Sequence, residues 1–242
     1  MSLGPDFGYF PEPSKSFVVV DEPDLVEANA LFGHHRVKVV TSHRLLGGHI
    51  GLSKGLHEYV DEKVARWKDY VTRIADVAAL QPQDAYVALT RSLACEWDYL
   101  QRVVPDCGQA FKPVEEALRE TFLSTLFGTE ISDAERLLFQ LPVKFSGLGI
   151  RDPSLTSTSA HQSSLKATRH LVSAIKGSCE FDIGVHHASV STARYEARKA
   201  RHDENTRLFD SAVAQFGGTS QRALKRAKGF STGPWVSSFP SI

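Results

Sequence analysis

Apolar positions between residues 54 and 127 recur every three or four places. Leu56, Tyr59, Val60, Val64, Trp67, Val71, Ile74 and Ala78 fall on one face of a single long helix. Pro82 breaks that helix and suits the first turn of the next. The second helix presents Ala85, Tyr86, Leu89, Leu93, Trp97, Leu100 and Val103 inward and stops before Pro105. A third runs from about Gln109 to Phe127 with Val114, Leu118, Phe122 and Leu126 inward, and Gly128 follows as its C-cap. Ser132-Asp133-Ala134-Glu135 has the spacing of a capping box, opening a short helix through Phe139.

The pattern differs on either side of this region. Phe17–Val20 is a β-branched run that predicts a buried strand, and Pro23–Phe32 predicts a short helix ended by Gly33. Val37–Val40 and Leu45–Ile50 read as two strands with Thr41-Ser42-His43 as the turn between them. Leu141–Ile150 is an irregular, glycine-rich extended segment. Beyond it, Asp152 can cap a helix with Pro153 at its first position, running to about Ile175. A long polar helix is expected around Ser189–Phe216, and Gly217-Gly218 separates it from a short basic helix, Ser220–Lys228. The fold class is α+β, a short β-hairpin element followed by a mostly α-helical region.

Composition narrows this only slightly. The 242 residues are 42% hydrophobic and 23% charged, the balance of an ordinary globular protein. The net charge is zero, so nothing global argues for a polyanionic partner. Its distribution does. Acids crowd the first thirty residues, where Lys15 is the sole lysine, whereas Arg222, Lys225, Arg226 and Lys228 have no acid among them. Three cysteines without a Cys-x-x-Cys predict neither a disulfide framework nor a zinc knuckle, and point to a reducing, intracellular setting, cytoplasm or nucleus. No apolar window is long enough for a membrane span, and none of the histidine pairs has metal-ligand spacing. No metal site is expected.

Four stretches stand out. Gly8-Tyr9-Phe10-Pro11-Glu12-Pro13-Ser14-Lys15 is a turn-rich lead that delivers Lys15 to the mouth of a strand. Its plain reading is a solvated strand-end lysine. Leu46-Gly47-Gly48 lies in a predicted strand region where glycine allows backbone to approach a phosphate; its plain reading is a hairpin that closes a sheet. Leu141-Pro142-Val143 with Gly147-Leu148-Gly149-Ile150 is the third. The basic run Arg222–Lys228, followed by Trp235 and Pro240, is the fourth.

In this order and spacing the four stretches resemble the end of the palm and the thumb of retroelement (non-LTR-like) reverse transcriptases. The resemblance covers essentially the whole chain. It implies a palm remnant over residues 1–53, a helical thumb-like region over 54–150, and a helical connection region over 151–242 with a basic end. It implies that Lys15 serves the pyrophosphate side of an incoming triphosphate. It implies that Leu46, Gly47 and Gly48 form a primer-grip-like hairpin. It places Arg222, Lys225, Arg226 and Lys228 as nucleic-acid contacts and makes an RNA/DNA template-primer the parent family's partner. Trp67 and Trp97 then belong to the thumb core and should be buried.

The parent family works with Mg2+ held by aspartates upstream of the Gly-Tyr-Phe-Pro segment, and this sequence has neither a Tyr-x-Asp-Asp nor any Asp-Asp pair. No cofactor is therefore expected on this chain. The expectation is a fragment of an RNA-directed DNA polymerase that is inactive as it stands. The alternative is a helical nucleic-acid-binding or protein-interaction domain without polymerase activity. A β-run Phe17–Val20 lying beside Val37–Val40 with an open outer edge favours the first reading, and a complete closed sheet favours the second.

Overall fold

A computed structural model of the chain describes Gly8, Phe10 and residues 12–228. Tyr9 and Pro11 of the first motif, and Trp235 and Pro240 of the last, lie outside the described residues. The fold is α+β and mostly helical. Contacts divide it into two compact units, residues 1–62 and 63–242, with the division inside one long helix.

In the first unit, β1 (Phe17–Val19) pairs in parallel with β2 (Lys38–Val40), Val18 opposite Val39. The crossover is α1 (Leu25–Phe32), which ends at Gly33 as expected. Among the described residues this sheet has two strands only. A separate antiparallel hairpin joins β3 (Ser42–Leu45) to β4 (Gly48–Gly51), with His43 opposite Ile50. This corrects the expected turn at Thr41–His43. The chain reverses at Leu46-Gly47, whose φ values are +48° and +78°. Two positive φ angles in a two-residue loop match the right-handed twist of the flanking strands, which an ordinary turn would splay. Gly51 closes the base of the hairpin: its φ is +102°, and a Cβ there would stand 2.1 Å from the Thr41 carbonyl.

Helix α2 (Ser53–Ala78) follows and has the predicted buried stripe. In the second unit its Trp67 is the centre of the core. The indole stacks on Phe111 at 5.7 Å and meets Trp97 edge-on at 6.2 Å. Its Nε1 donates to Glu96 at 2.8 Å, so the one polar atom of a buried ring is satisfied. Both tryptophans are buried, as expected.

The second helical stretch is α3 (Pro82–Ala88) and α4 (Ala94–Val103), joined without a break by a π-helical turn, Leu89–Leu93. Ala85, Leu89, Leu93, Trp97 and Gln101 are all buried, a strict spacing of four. On a plain α-helix that spacing drifts by about 40° per step. The π turn takes up the extra residue and returns the stripe to the core. The same rotation turns Val103 outward and buries Val104, correcting the expected inward Val103. The third stretch, α5 (Lys112–Glu116) and α6 (Ser124–Phe127), contains a second π segment, Ala117–Leu123, and ends at Gly128 with φ +70°. Leu126 is only partly buried, its expected inward place being taken by Leu123.

The capping box holds: α7 (Asp133–Phe139) has Ser132 and Glu135 satisfying each other's backbone N–H. The irregular segment after it is fixed by two side chains and a close backbone approach. Arg136 donates to the Ile150 carbonyl at 2.8 Å and makes a bidentate pair with Glu115 at 2.6 and 2.5 Å. Tyr86 Oη donates to the Leu148 carbonyl at 2.6 Å. Gly147 lies so close that a Cβ would stand 2.1 Å from the Leu141 carbonyl.

Two long helices complete the unit. Asp152 caps α8 (Pro153–Ile175) as predicted, accepting from the Ser154 N–H at 2.8 Å. Gln101, fully buried on α4, donates to the Pro153 carbonyl at 2.7 Å and accepts from Thr156 at 2.8 Å, which sets where α8 lies on α4. Helix α9 (Ile183–Ala214) begins six residues before the expected start at Ser189, because Asp182 caps it by accepting from the Val185 N–H. The final helix, α10 (Gly218–Ala227), packs Leu224 on a cluster of Leu138, Leu141, Phe145, Phe209 and Val213. No described helix is long and apolar enough to cross a membrane.

Candidate nucleic-acid interface

Lys15 ends a short 3-10 turn, Pro13–Lys15, directly before β1. Its side chain is 79% exposed, and its ammonium pairs with Glu12 at 2.7 Å. Ser14 also donates to Glu12, at 2.9 Å. The lysine, and after it the serine, hold the Glu12 carboxyl below the usual carboxylate range. Glu12-Pro13-Ser14-Lys15 is thus a small self-neutralising turn. Any phosphate that recruits Lys15 must first displace Glu12.

The primer-grip-like residues occupy the β3–β4 hairpin. Leu46 and Gly47 are the turn itself, and Gly48 opens β4 buried. Tyr59, on the first part of α2, donates its hydroxyl to the Gly47 carbonyl at 2.8 Å and fixes the turn against that helix. Arg44 lies over the Tyr59 ring at 4.9 Å and pairs with Glu62. His49 stacks on the other part of the same group, 5.8 Å from the Tyr59 ring. Burial, then the nearby Arg44 and His43, push His49 below its ordinary value, and its Nδ1 is buried without a partner. Arg44, Tyr59 and Glu62 carry the hairpin's rigidity. Only the i,i+3 spacing of Tyr59 and Glu62 on the predicted helix hinted at their alliance.

The basic residues behave differently from one another. Arg222, Lys225 and Arg226 are exposed on α10, and among the described residues none is paired with an acid. Lys228 lies 4.6 Å from the Phe209 ring and 5.1 Å from the Phe145 ring. A lysine held over two rings gives up rotamer freedom and keeps its charge at a fixed place. On the same Phe145 ring, at 5.3 Å, sits Lys144 from the irregular segment. No sequence pattern joined Lys144 to the basic end; only the packing of α9 and α10 on Phe145 does.

Lys15 and the hairpin lie in the first unit and the basic run in the second. Among the described residues there is no group of three or more histidines, cysteines or carboxylates arranged to hold a metal ion. The arrangement can neutralise phosphates and offer backbone to them. No protein-family profile, no curated protein and no solved structure matches this chain.

Proposed function

We propose that these residues correspond to the end of the palm and the thumb of a retroelement reverse transcriptase, a region that holds a template-primer and does not itself polymerise. The observation that carries this reading is the β1–β2 pair. The run starting at Phe17 lies beside Val39 and Val40 in a parallel two-stranded sheet, which is too small to be self-sufficient and leaves pairing capacity at its margins. The strand-turn-helix order also supports it, with a rigid Leu46-Gly47 turn pinned by Tyr59.

Two-metal phosphoryl transfer needs carboxylates held to bracket both reacting oxygens, and this sequence carries no Asp-Asp pair to do so. The function is then binding, with RNA–DNA hybrid as ligand and Arg222, Lys225, Arg226 and Lys228 as contacts. Primer extension by the purified chain with Mg2+ should give no incorporation, while a hybrid should bind and be released as salt rises. Measurable incorporation would refute the non-catalytic part, and absence of hybrid binding would refute the whole.

A further inference from the structure

Helix α10 has no acid along its length, and its basic residues are arranged rather than scattered. At about 100° per residue, Lys225, Arg222 and Arg226 follow one another around one side of α10, away from Leu224, and Lys228 is the C-cap just beyond the last turn. Leu224 is the residue packed on the aromatic cluster, so this side faces outward. At the Lys228 end the stripe meets Lys144, because both ammoniums stand within 5.3 Å of the Phe145 ring centre. They are therefore within about 10 Å of each other, roughly one screening length at 0.1 M salt.

Five cations thus gather with no described acid paired to any of them. On α9, Glu204 is held by Arg207 at 2.6 Å, and Asp210, the acid next to Phe209 in sequence, is exposed. Like charges collected this closely repel one another, and packing on Phe145 and Phe209 holds two of them in place regardless. A polyanion laid across the stripe relieves that repulsion without having to order those two lysines first.

We infer that Lys144 joins Lys228, Lys225, Arg222 and Arg226 in one phosphate track that reads only the nucleic-acid backbone. This rests on the nucleic-acid-binding reading above and specifies its partner. Single-strand binders stack bases on exposed rings. Here the rings beside the cations, Phe145 and Phe209, are each 2% exposed and already packed. The track accordingly suits the regularly spaced phosphates of a duplex, hybrid or DNA, without sequence preference.

The test is fluorescence anisotropy of the full chain with a labelled short DNA duplex, an RNA–DNA hybrid and a single strand, each titrated at several salt concentrations. Lys144→Gln and Lys228→Gln should each flatten the log K against log salt slope for duplex by about 0.9. Lys176→Gln, an exposed lysine at the end of α8, should leave it unchanged. Circular dichroism melts verify that the variants remain folded. Duplex binding with an unaltered slope in Lys144→Gln overturns the track and leaves the wider reading standing. So does a marked preference for single strand over both duplexes. Failure of the unaltered chain to bind any of the three overturns both.

Discussion

Arg136→Met is the sharpest test of how the second unit is held together. Arg136 is 6% exposed, and its guanidinium satisfies both Glu115 oxygens and the Ile150 carbonyl. Methionine keeps most of the volume and removes the charge. What remains is a buried carboxylate without its partner and a carbonyl without its donor. Breaking one side of a buried ion pair costs about 3–5 kcal/mol, against a total stability of about 5–15 kcal/mol for an ordinary domain. Urea denaturation at neutral pH should show a loss in that range.

The pH dependence has a definite sign. Burial already pushes the Glu115 carboxyl above its ordinary value, although Arg136 opposes it. Without Arg136 it must rise further. A carboxyl whose folded pKa lies above its unfolded value contributes stability below the unfolded pKa and loses it as pH rises through the folded one. The gap between variant and wild type should therefore be smallest at acidic pH and widen toward neutrality. Adding Glu115→Leu should recover much of the loss, since the cost lies in the stranded charge. A loss below about 1 kcal/mol, the worth of a surface pair, would refute the argument. A gap that ignores pH, or a double variant no better than the single, would refute it equally.

Two further outcomes follow from the geometry. Gly147→Ala should destabilise the second unit strongly, because a Cβ would stand 2.1 Å from the Leu141 carbonyl and 2.4 Å from that of Leu138; Gly149→Ala, whose Cβ meets nothing but whose φ is +71°, should cost less, about 1 kcal/mol, and denaturation of the pair reverses the argument if the order is inverted. In the first unit His49 is held below its ordinary value by burial, so its contribution is present above the unfolded pKa and lost as pH falls through the folded one. Amide exchange in the β3–β4 hairpin should quicken on mild acidification, and His49→Phe should remove that response; an unchanged response in the variant would place the sensitivity elsewhere.

Much of the fold was written locally. The Ser132–Glu135 capping box, Pro82 and Pro153 at helix starts, Gly128 at a helix end and the buried stripe of α2 depend on neighbours within a turn or two. The fold departs from the local pattern where a local preference competes with a distant contact. Leu45–Ile50 starts and ends on apolar residues and reads as one strand, yet Leu46 and Gly47 reverse the chain, a turn that Tyr59 fixes through the Gly47 carbonyl. Val103 and Val104 traded places because a π turn upstream rotated the helix, a feature with no residue signature of its own.

The candidate site divides in the same way. The sequence alone determined that Arg222, Lys225 and Arg226 share one short acid-free helix, since helical spacing is a local matter, while Lys228, expected inside it, caps its end. It also determined the order of the four stretches on which the proposed function rests. The pairing of Lys15 with Glu12, three residues away, is local as well. Only the tertiary structure decided that Lys144 and Lys228 share the Phe145 ring, a convergence of segments far apart in the chain. The physical reason is the reach of the forces. Backbone propensity and capping act within about one helical turn, whereas a charged patch is made by whichever surfaces the core brings together.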